Sequence, residues 1–170
     1  GFNKPPTKGG TLRVSDFVFW DLLGPSLRSF YLHRSGIGIR DSVTGVMASP
    51  GHLNDAEPSG DSQVWGGAIQ GSRDLTGGWY EGGSYDKHLV SNALVAARLL
   101  ELYELNPRVF GKLYLNYPLA ETSRSELPDL LKEAQFGLRW IQSAQLENGQ
   151  FASRVASVPK PQGLIRPSHD

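Results

Sequence analysis

Residues 74–88 read DLTGGWYEGGSYDKH, and most of the chain's candidate chemistry is concentrated there. Glu81 and Asp86 supply carboxylates, groups able to take and give protons in hydrolytic reactions. Trp79, Tyr80 and Tyr85 supply large aromatic faces that stack on sugar rings and equally well fill a core. Gly77, Gly78, Gly82 and Gly83 let the backbone turn sharply and approach a ligand closely. Ser84 stands where a helix N-cap would, Asp86 where a carboxylate would favour a helix dipole, and His88 either faces a ligand or lies on the helix surface. By residue type alone, this is either a binding site or a glycine-rich connection whose aromatics pack the core beneath it.

The helix that must position this loop is expected over residues 85–105. There Leu89, Ala93, Ala96, Ala97, Leu100 and Tyr103 make one stripe, and Asn106-Pro107 ends it. An earlier helix from about Phe17 places Phe19, Leu23, Leu27, Phe30 and Tyr31 on one face. Ser15 or Asp16 can cap it, and Pro25 should bend it or mark its true first turn. A third helix is expected over residues 128–145, with Leu131, Ala134, Leu138 and Ile141 inward and Asn148-Gly149 as a left-handed stop. Residues 36–76 show no sustained periodicity, which at that length usually signals function or disorder; Trp65 argues against full disorder. Trp65 and Trp140 read as core, residues 151–158 as a strand, residues 11–14 as a short strand, and residues 1–10 as a linker or strand edge.

Composition excludes several classes. Seventeen basic residues balance seventeen acidic ones at a pI near 7.1, so nothing favours nucleic acid or an anionic membrane surface. No apolar run approaches the roughly 20 residues of a membrane-spanning helix. No signal peptide is visible, although a chain that begins with glycine can have lost one upstream. The absence of cysteine removes disulfides, thiolate metal sites and a cysteine nucleophile. His52 and Asp55 could be read as metal ligands, but no third ligand stands at helpful spacing, so no metal and no other cofactor is expected.

The loop resembles the segment GGWYDAGDYGKY of family 9 glycoside hydrolases, a cellulase family, with Gly77, Gly78, Trp79, Tyr80, Gly83, Tyr85 and Lys87 matching in register. Asp74-Leu75-Thr76 resembles the lead-in D-[VL]-[ST]. Residues 30–37 (FYLHRSGI) resemble FYxQRSGI, and residues 51–56 (GHLNDA) resemble CHLDDA, an element that shapes the cleft floor. Residues 127–140 (LPDLLKEAQFGLRW) are similar to LPDLLDEARWGLDWL, and residues 151–170 resemble VYHKVTSxxFPGFxxPEED. Five elements in the family's order cover most of residues 12–170. The resemblance implies an all-α fold, about three of the twelve helices of an (α/α)6 barrel joined by long loops. Residues 15–170 would then be the N-terminal part of the catalytic domain. Residues 1–14 would be a linker or the last strand of an immunoglobulin-like module.

The activity implied is inverting hydrolysis of a β-1,4-glucan, cellulose-type polysaccharide or oligosaccharide, by a chain secreted or periplasmic. Inversion uses one carboxylate to deprotonate water and one carboxylic acid to protonate the leaving oxygen, about 6.5–9.5 Å apart. Carried over by position, the first loop aspartate is Glu81. The second, the family's base, is Ser84, which cannot serve as a base at neutral pH. The acid belongs to the family's C-terminal region, beyond residue 170. Glu81 is therefore the expected surviving carboxylate, and Trp79, Tyr80, Tyr85 and His88 the expected substrate contacts. The alternatives are a non-catalytic glycan binder that lost its base, and a structural domain sharing only ancestry. On its own, the 170-residue polypeptide is expected to be poorly folded and inactive.

Overall fold

A computed structural model describes residues 18–53, 55, 62–65, 73–82, 84–118 and 126–157. The expectations for residues 1–17, Gly83 and residues 158–170, and for the Trp65 side chain, lie outside them. In chain order the described elements are α1 (Val18–Leu32), β1 (Ile39–Arg40), β2 (Met47–Ala48), β3 (Ser62–Trp65), β4 (Lys87–His88), α2 (Leu89–Leu105), α3 (Pro107–Phe110), α4 (Asp129–Ala144) and β5 (Arg154–Ser157). Helix predominates. The short strands form a β1–β2 hairpin and a three-stranded antiparallel sheet in the order β3-β5-β4; β5 lies within the strand expected over residues 151–158, and the other described strands are additions to the helical expectation. No helix of the described residues is long and apolar enough to cross a membrane.

α1 continues on both sides of Pro25, so that residue does not mark its first turn. Its inner face is Leu27 and Tyr31, with Leu23 and Phe30 partly buried, while Phe19 is 79% exposed. The inward side of the first turn is instead taken by Trp20, whose ring lies 6.0 Å from that of Phe110. Spacing of 20, 23, 27 and 31 keeps one face of a 3.6-residue helix, and Phe19 falls outside it.

α2 begins at Leu89, four residues later than the pattern suggested. The cause is β4: Lys87 pairs with Val155 and His88 with Arg154 of β5, which holds both residues extended. Ser84 therefore does not cap the helix. His88 occupies the N-cap position without a side-chain capping bond. The buried face of α2 is Asn92, Ala96 and Leu99, while Ala93 and Ala97 are exposed. α2 is apolar on two faces, since Val90, Leu94 and Leu105 are also exposed, and periodicity could not choose between them. α3 follows at once, its Asn106 side chain accepting from Val109 N–H with Pro107 in the first turn.

α4 packs against α2. Its buried side is Asp129, Leu130, Glu133, Ala134, Gly137, Trp140 and Ala144; Leu138, expected inward, is 43% exposed. Two carboxylates on the inner face rotate it away from the purely apolar stripe. Asp129 accepts from Leu115 N–H at 2.9 Å and so ties the 113–118 segment to the start of α4. After α4, Gly149 turns with φ of 82° and Phe151 bridges back to Gln145, a left-handed stop that leads into β5.

One buried core gathers Leu27, Tyr31, Trp79, Leu99, Leu130 and Ala134, and a second gathers Leu75, Trp140, Ala152 and Val155. The loop 73–82 runs between them. Beside the first core, Arg28 pairs with Asp41. Burial would raise the Asp41 carboxyl, but hydrogen bonds from the Thr44 hydroxyl, Arg28 and the Val43 and Thr44 N–H groups outweigh it and hold its pKa at about 2. Asp41 thus closes the β1–β2 turn as an anion at neutral pH.

Candidate active site

The loop is fastened residue by residue. Asp74 accepts from both the N–H (2.9 Å) and the hydroxyl (2.6 Å) of Thr76, a local turn that aims the chain into the glycines. Gly77 and Gly78 have φ of 97° and 73°, a region where side chains are strained. Gly78 also lies flat against Trp140, where a Cβ would stand 2.8 Å from the ring and 2.9 Å from the Asn92 amide oxygen. Space and backbone conformation both require glycine here.

Three partners then clamp the backbone. From α1's end, Ser35 N–H donates to Gly78 C=O (2.8 Å), His33 C=O accepts from Tyr80 N–H (2.9 Å), and Arg34 bridges Trp79. From α2, the Asn92 amide accepts from Trp79 N–H (2.8 Å) and donates to Trp79 C=O (3.1 Å), so one side chain imitates a strand neighbour. From β4, the Lys87 ammonium donates to Leu75 C=O (2.7 Å) and Gly77 C=O (3.0 Å).

Lys87 is itself wholly buried and paired with Asp55, whose other oxygen is 2.7 Å from His52 Nδ1. Burial would raise the Asp55 carboxyl. The His52 hydrogen bond and the Lys87 charge outweigh it and lower the pKa below the usual carboxylate value. The ammonium fills the role a cation would have beside His52 and Asp55. Among the described residues no group of three or more His, Cys, Asp or Glu side chains could hold a metal.

Trp79 is 3% exposed. Phe30 and Phe136 tilt against it at centroid distances of 6.0 and 6.1 Å, and its ring lies where a Cβ on Gly137 would overlap it. Its indole N–H donates to Glu133 at 2.8 Å. Tyr80 is also buried, edge-on to Tyr85 at 5.1 Å and 5.6 Å from the His52 ring. The open aromatic platform expected of Trp79 is thus replaced by a wall: its body serves the core and its edge reaches a cavity.

That cavity, ≈ 380 Å³, lies between the end of α1, the start of α2 and the loop. Phe30, Trp79 and Val95 line it with apolar surface, and His33, Glu81, Ser91 and Asn92 with polar groups. Glu81 is half-buried, accepts a hydrogen bond from Ser91 and lies 3.7 Å from His88 Nε2. Ser84 accepts from Asp86 N–H at 3.2 Å, and Glu81 N–H donates to Asp86 C=O at 3.0 Å, which closes the loop on itself. Asp86 lies before the helix start and pairs at 2.5 Å with Arg154 of β5, so its partner is a guanidinium and not the α2 dipole. Of the expected site residues, the structure gathers Glu81 and His88 with the edges of Trp79 and Tyr80. Tyr85 packs behind Tyr80, and Ser84 faces its own turn.

Sequence reasoning missed the residues that do the fastening: Arg34, Asn92 and Glu133. A signal for two of them was present, because Asn92 and Glu133 are polar side chains on largely apolar helix faces, Glu133 sharing its face with Asp129.

These features define a clamped, glycine-turned loop that offers one carboxylate at a cavity between two helices, and they coincide with a known family. The chain belongs to Glycosyl hydrolase family 9, whose family model matches residues 19–162. Over 169 residues it is 27% identical to a xyloglucan-specific endo-β-1,4-glucanase of Bacteroides ovatus, covering 92% of this chain and 27% of that protein. It is 29% identical over 163 residues to endoglucanase C of Cellulomonas fimi, covering 86% of this chain and 15% of that one. Among solved structures, the family 9 endoglucanase J30 superposes with a TM-score of 0.83 at 30% identity, over 96% of this chain and 31% of that chain. A metagenome-derived family 9 endoglucanase gives 0.72 at 34% identity, over 89% and 26%. The chain therefore spans between 15% and 27% of the length of these curated relatives.

Proposed function

We propose that this chain is the part of a family 9 β-1,4-glucanase that carries the water-activating loop, acting within a longer protein by an inverting displacement. The observation that carries the reading is Glu81: the carboxylate at the family's first loop position stands at a cavity walled by the family's own Trp-Tyr pair. The substrate class follows from relatives named as endoglucanases and as a xyloglucan-specific endo-β-1,4-glucanase. In this reading Glu81 orients and deprotonates water while His88 and the edge of Tyr80 meet the sugar, Tyr85 backs Tyr80 and Trp79 shapes the wall. The acid comes from a later region of the protein. No cofactor or metal takes part, and nothing in the charge balance invites nucleic acid or a membrane as partner.

The same reading makes residues 15–170 the N-terminal part of an (α/α)6 catalytic domain, with residues 1–14 a linker or the end of an immunoglobulin-like module. Exposed apolar residues support it. Phe19 (79%), Val90 (78%) and Leu105 (75%) lie on helix faces that further barrel helices would cover. Because polymeric glucan lies outside the cell, the protein would work as a secreted or periplasmic enzyme.

A second reading, a glycan-binding member without hydrolysis, is favoured by one observation. Ser84 stands at the base position, and its hydroxyl is engaged by its own turn. Substituting Glu81→Gln in the full-length protein separates the two. Hydrolysis of cello-oligosaccharides should fall by about 10²–10⁴ in kcat with KM little changed. If wild type binds the oligosaccharide by calorimetry but releases no sugar, the second reading is right. Equal rates in wild type and variant would remove Glu81 from the reaction.

A further inference from the structure

A heavily engaged buried anion stands outside the cavity. Glu133 on α4 is wholly buried, and both its oxygens are fully used. Oε1 accepts from Trp79 Nε1 at 2.8 Å and from Arg34 Nε at 3.2 Å; Oε2 accepts from Arg34 Nη2 at 3.0 Å and from the Tyr117 hydroxyl at 2.5 Å. A carboxylate has about four lone-pair sites, so this one is saturated. The Arg34 guanidinium is in turn held over the ring of Phe136 at 4.4 Å, with Tyr117 at 5.3 Å and Tyr31 at 5.4 Å. Burial and the neighbouring Glu133 charge push the Tyr117 hydroxyl far above its ordinary range, so it remains a donor at any working pH.

An arginine–carboxylate pair in a core needs no tryptophan. Here the same two residues that form the pair also grip the loop. Arg34 is the residue whose backbone bridges Trp79, with Ser35 and His33 bonded to Gly78 and Tyr80 on either side. Trp79 is fixed at its backbone by Arg34 and Asn92 and at its indole by Glu133, and Glu81 is only two residues further on. Gly137, one turn along α4 from Glu133, leaves the gap that lets the ring lie against the helix.

We propose that Glu133 is the positioning residue of the active-site loop: it fixes the Trp79 indole and through it the placement of Glu81 at the cavity. The inference rests on the hydrolase reading for its consequence, and on the geometry alone for its mechanism. A merely structural ion pair would contribute to stability and leave the loop where it is. A positioning role transmits any change to Glu81, and misplacement of about 1 Å can cost roughly 10²-fold in rate.

The test uses the full-length protein with Glu133→Gln, Trp79→Phe and the double variant. Kinetics on a cello-oligosaccharide are recorded together with the ¹H–¹⁵N resonances of the Trp79 indole and the Tyr80 and Glu81 amides. Glu133→Gln should shift all three resonances and lower kcat by roughly 10–100-fold, with KM changed less than about threefold. The double variant should be no slower than the worse single variant, because both act along one connection. A lower melting temperature with loop resonances unmoved and kcat within about twofold of wild type would reduce Glu133 to a core ion pair and overturn the proposal. If Glu133→Gln fails to fold, Trp79→Phe decides the question by whether it shifts the Glu81 amide and kcat. If wild type hydrolyses nothing, the hydrolase reading fails, and the resonances alone decide the positioning role.

Discussion

Ser84→Asp in the full-length protein is expected to raise β-1,4-glucan hydrolysis by about 10²–10⁴, the usual contribution of a positioned base. The local structure is ready for the change. Ser84 accepts from Asp86 N–H, two residues on, and an aspartate carboxylate makes the same turn without moving the backbone. Its remaining oxygen would be free to accept a proton from water, which the serine hydroxyl cannot do at neutral pH. Because the loop is clamped at Gly77–Tyr80 by Lys87, Asn92 and residues 33–35, a new carboxylate enters a frame already held in place. Initial rates of reducing-sugar release check it. A gain below about threefold would mean that Glu81 alone already supplies the full base function of the loop, and Ser84 is then not the site of a loss.

Lys87→Met is expected to destabilise the protein by about 3–5 kcal/mol, the cost of leaving a buried charge without its partner. Asp55 would keep its His52 hydrogen bond but lose the ammonium that helps to hold its pKa low, and the Leu75 and Gly77 carbonyls would lose their donor. With total stabilities of about 5–15 kcal/mol for ordinary domains, that is a large fraction. Equilibrium urea unfolding measures it. Combining Lys87→Met with Asp55→Asn should cost less than the sum of the two single changes, because the second removes the charge that the first strands. Additive losses, or a Lys87→Met effect below about 1 kcal/mol, would show that the ion pair does not hold the loop floor.

Much of this arrangement could be read in the residues before any coordinates. The glycine-bracketed Trp79-Tyr80 pair and the ordered segments around it pointed to the family. The existence of α1, α2 and α4 followed from period and from stops such as Asn106-Pro107 and Asn148-Gly149. What could not be read has physical reasons. The start of α2 is set by strand pairing of Lys87 and His88 with β5, a contact distant in sequence. The inward faces of α2 and α4 are fixed by Asn92 and Glu133, whose polar groups are satisfied by the loop, so apolar periodicity pointed one position away. The buried pairing of Lys87 with Asp55 joins residues far apart in sequence, and no local pattern announces it. Trp79 was expected as a sugar platform because residue type cannot say which side of a ring is covered. Phe30, Phe136 and Gly137 cover it.

The central claim is that this loop, with Glu81 at its cavity, activates water for an inverting cleavage of β-1,4-glucan. Anomeric ¹H NMR during hydrolysis of a cello-oligosaccharide by the full-length protein tests it most directly. The account predicts that α-configured reducing ends appear first and then mutarotate. Newly formed β-anomer, or bound oligosaccharide with no cleavage, would contradict it.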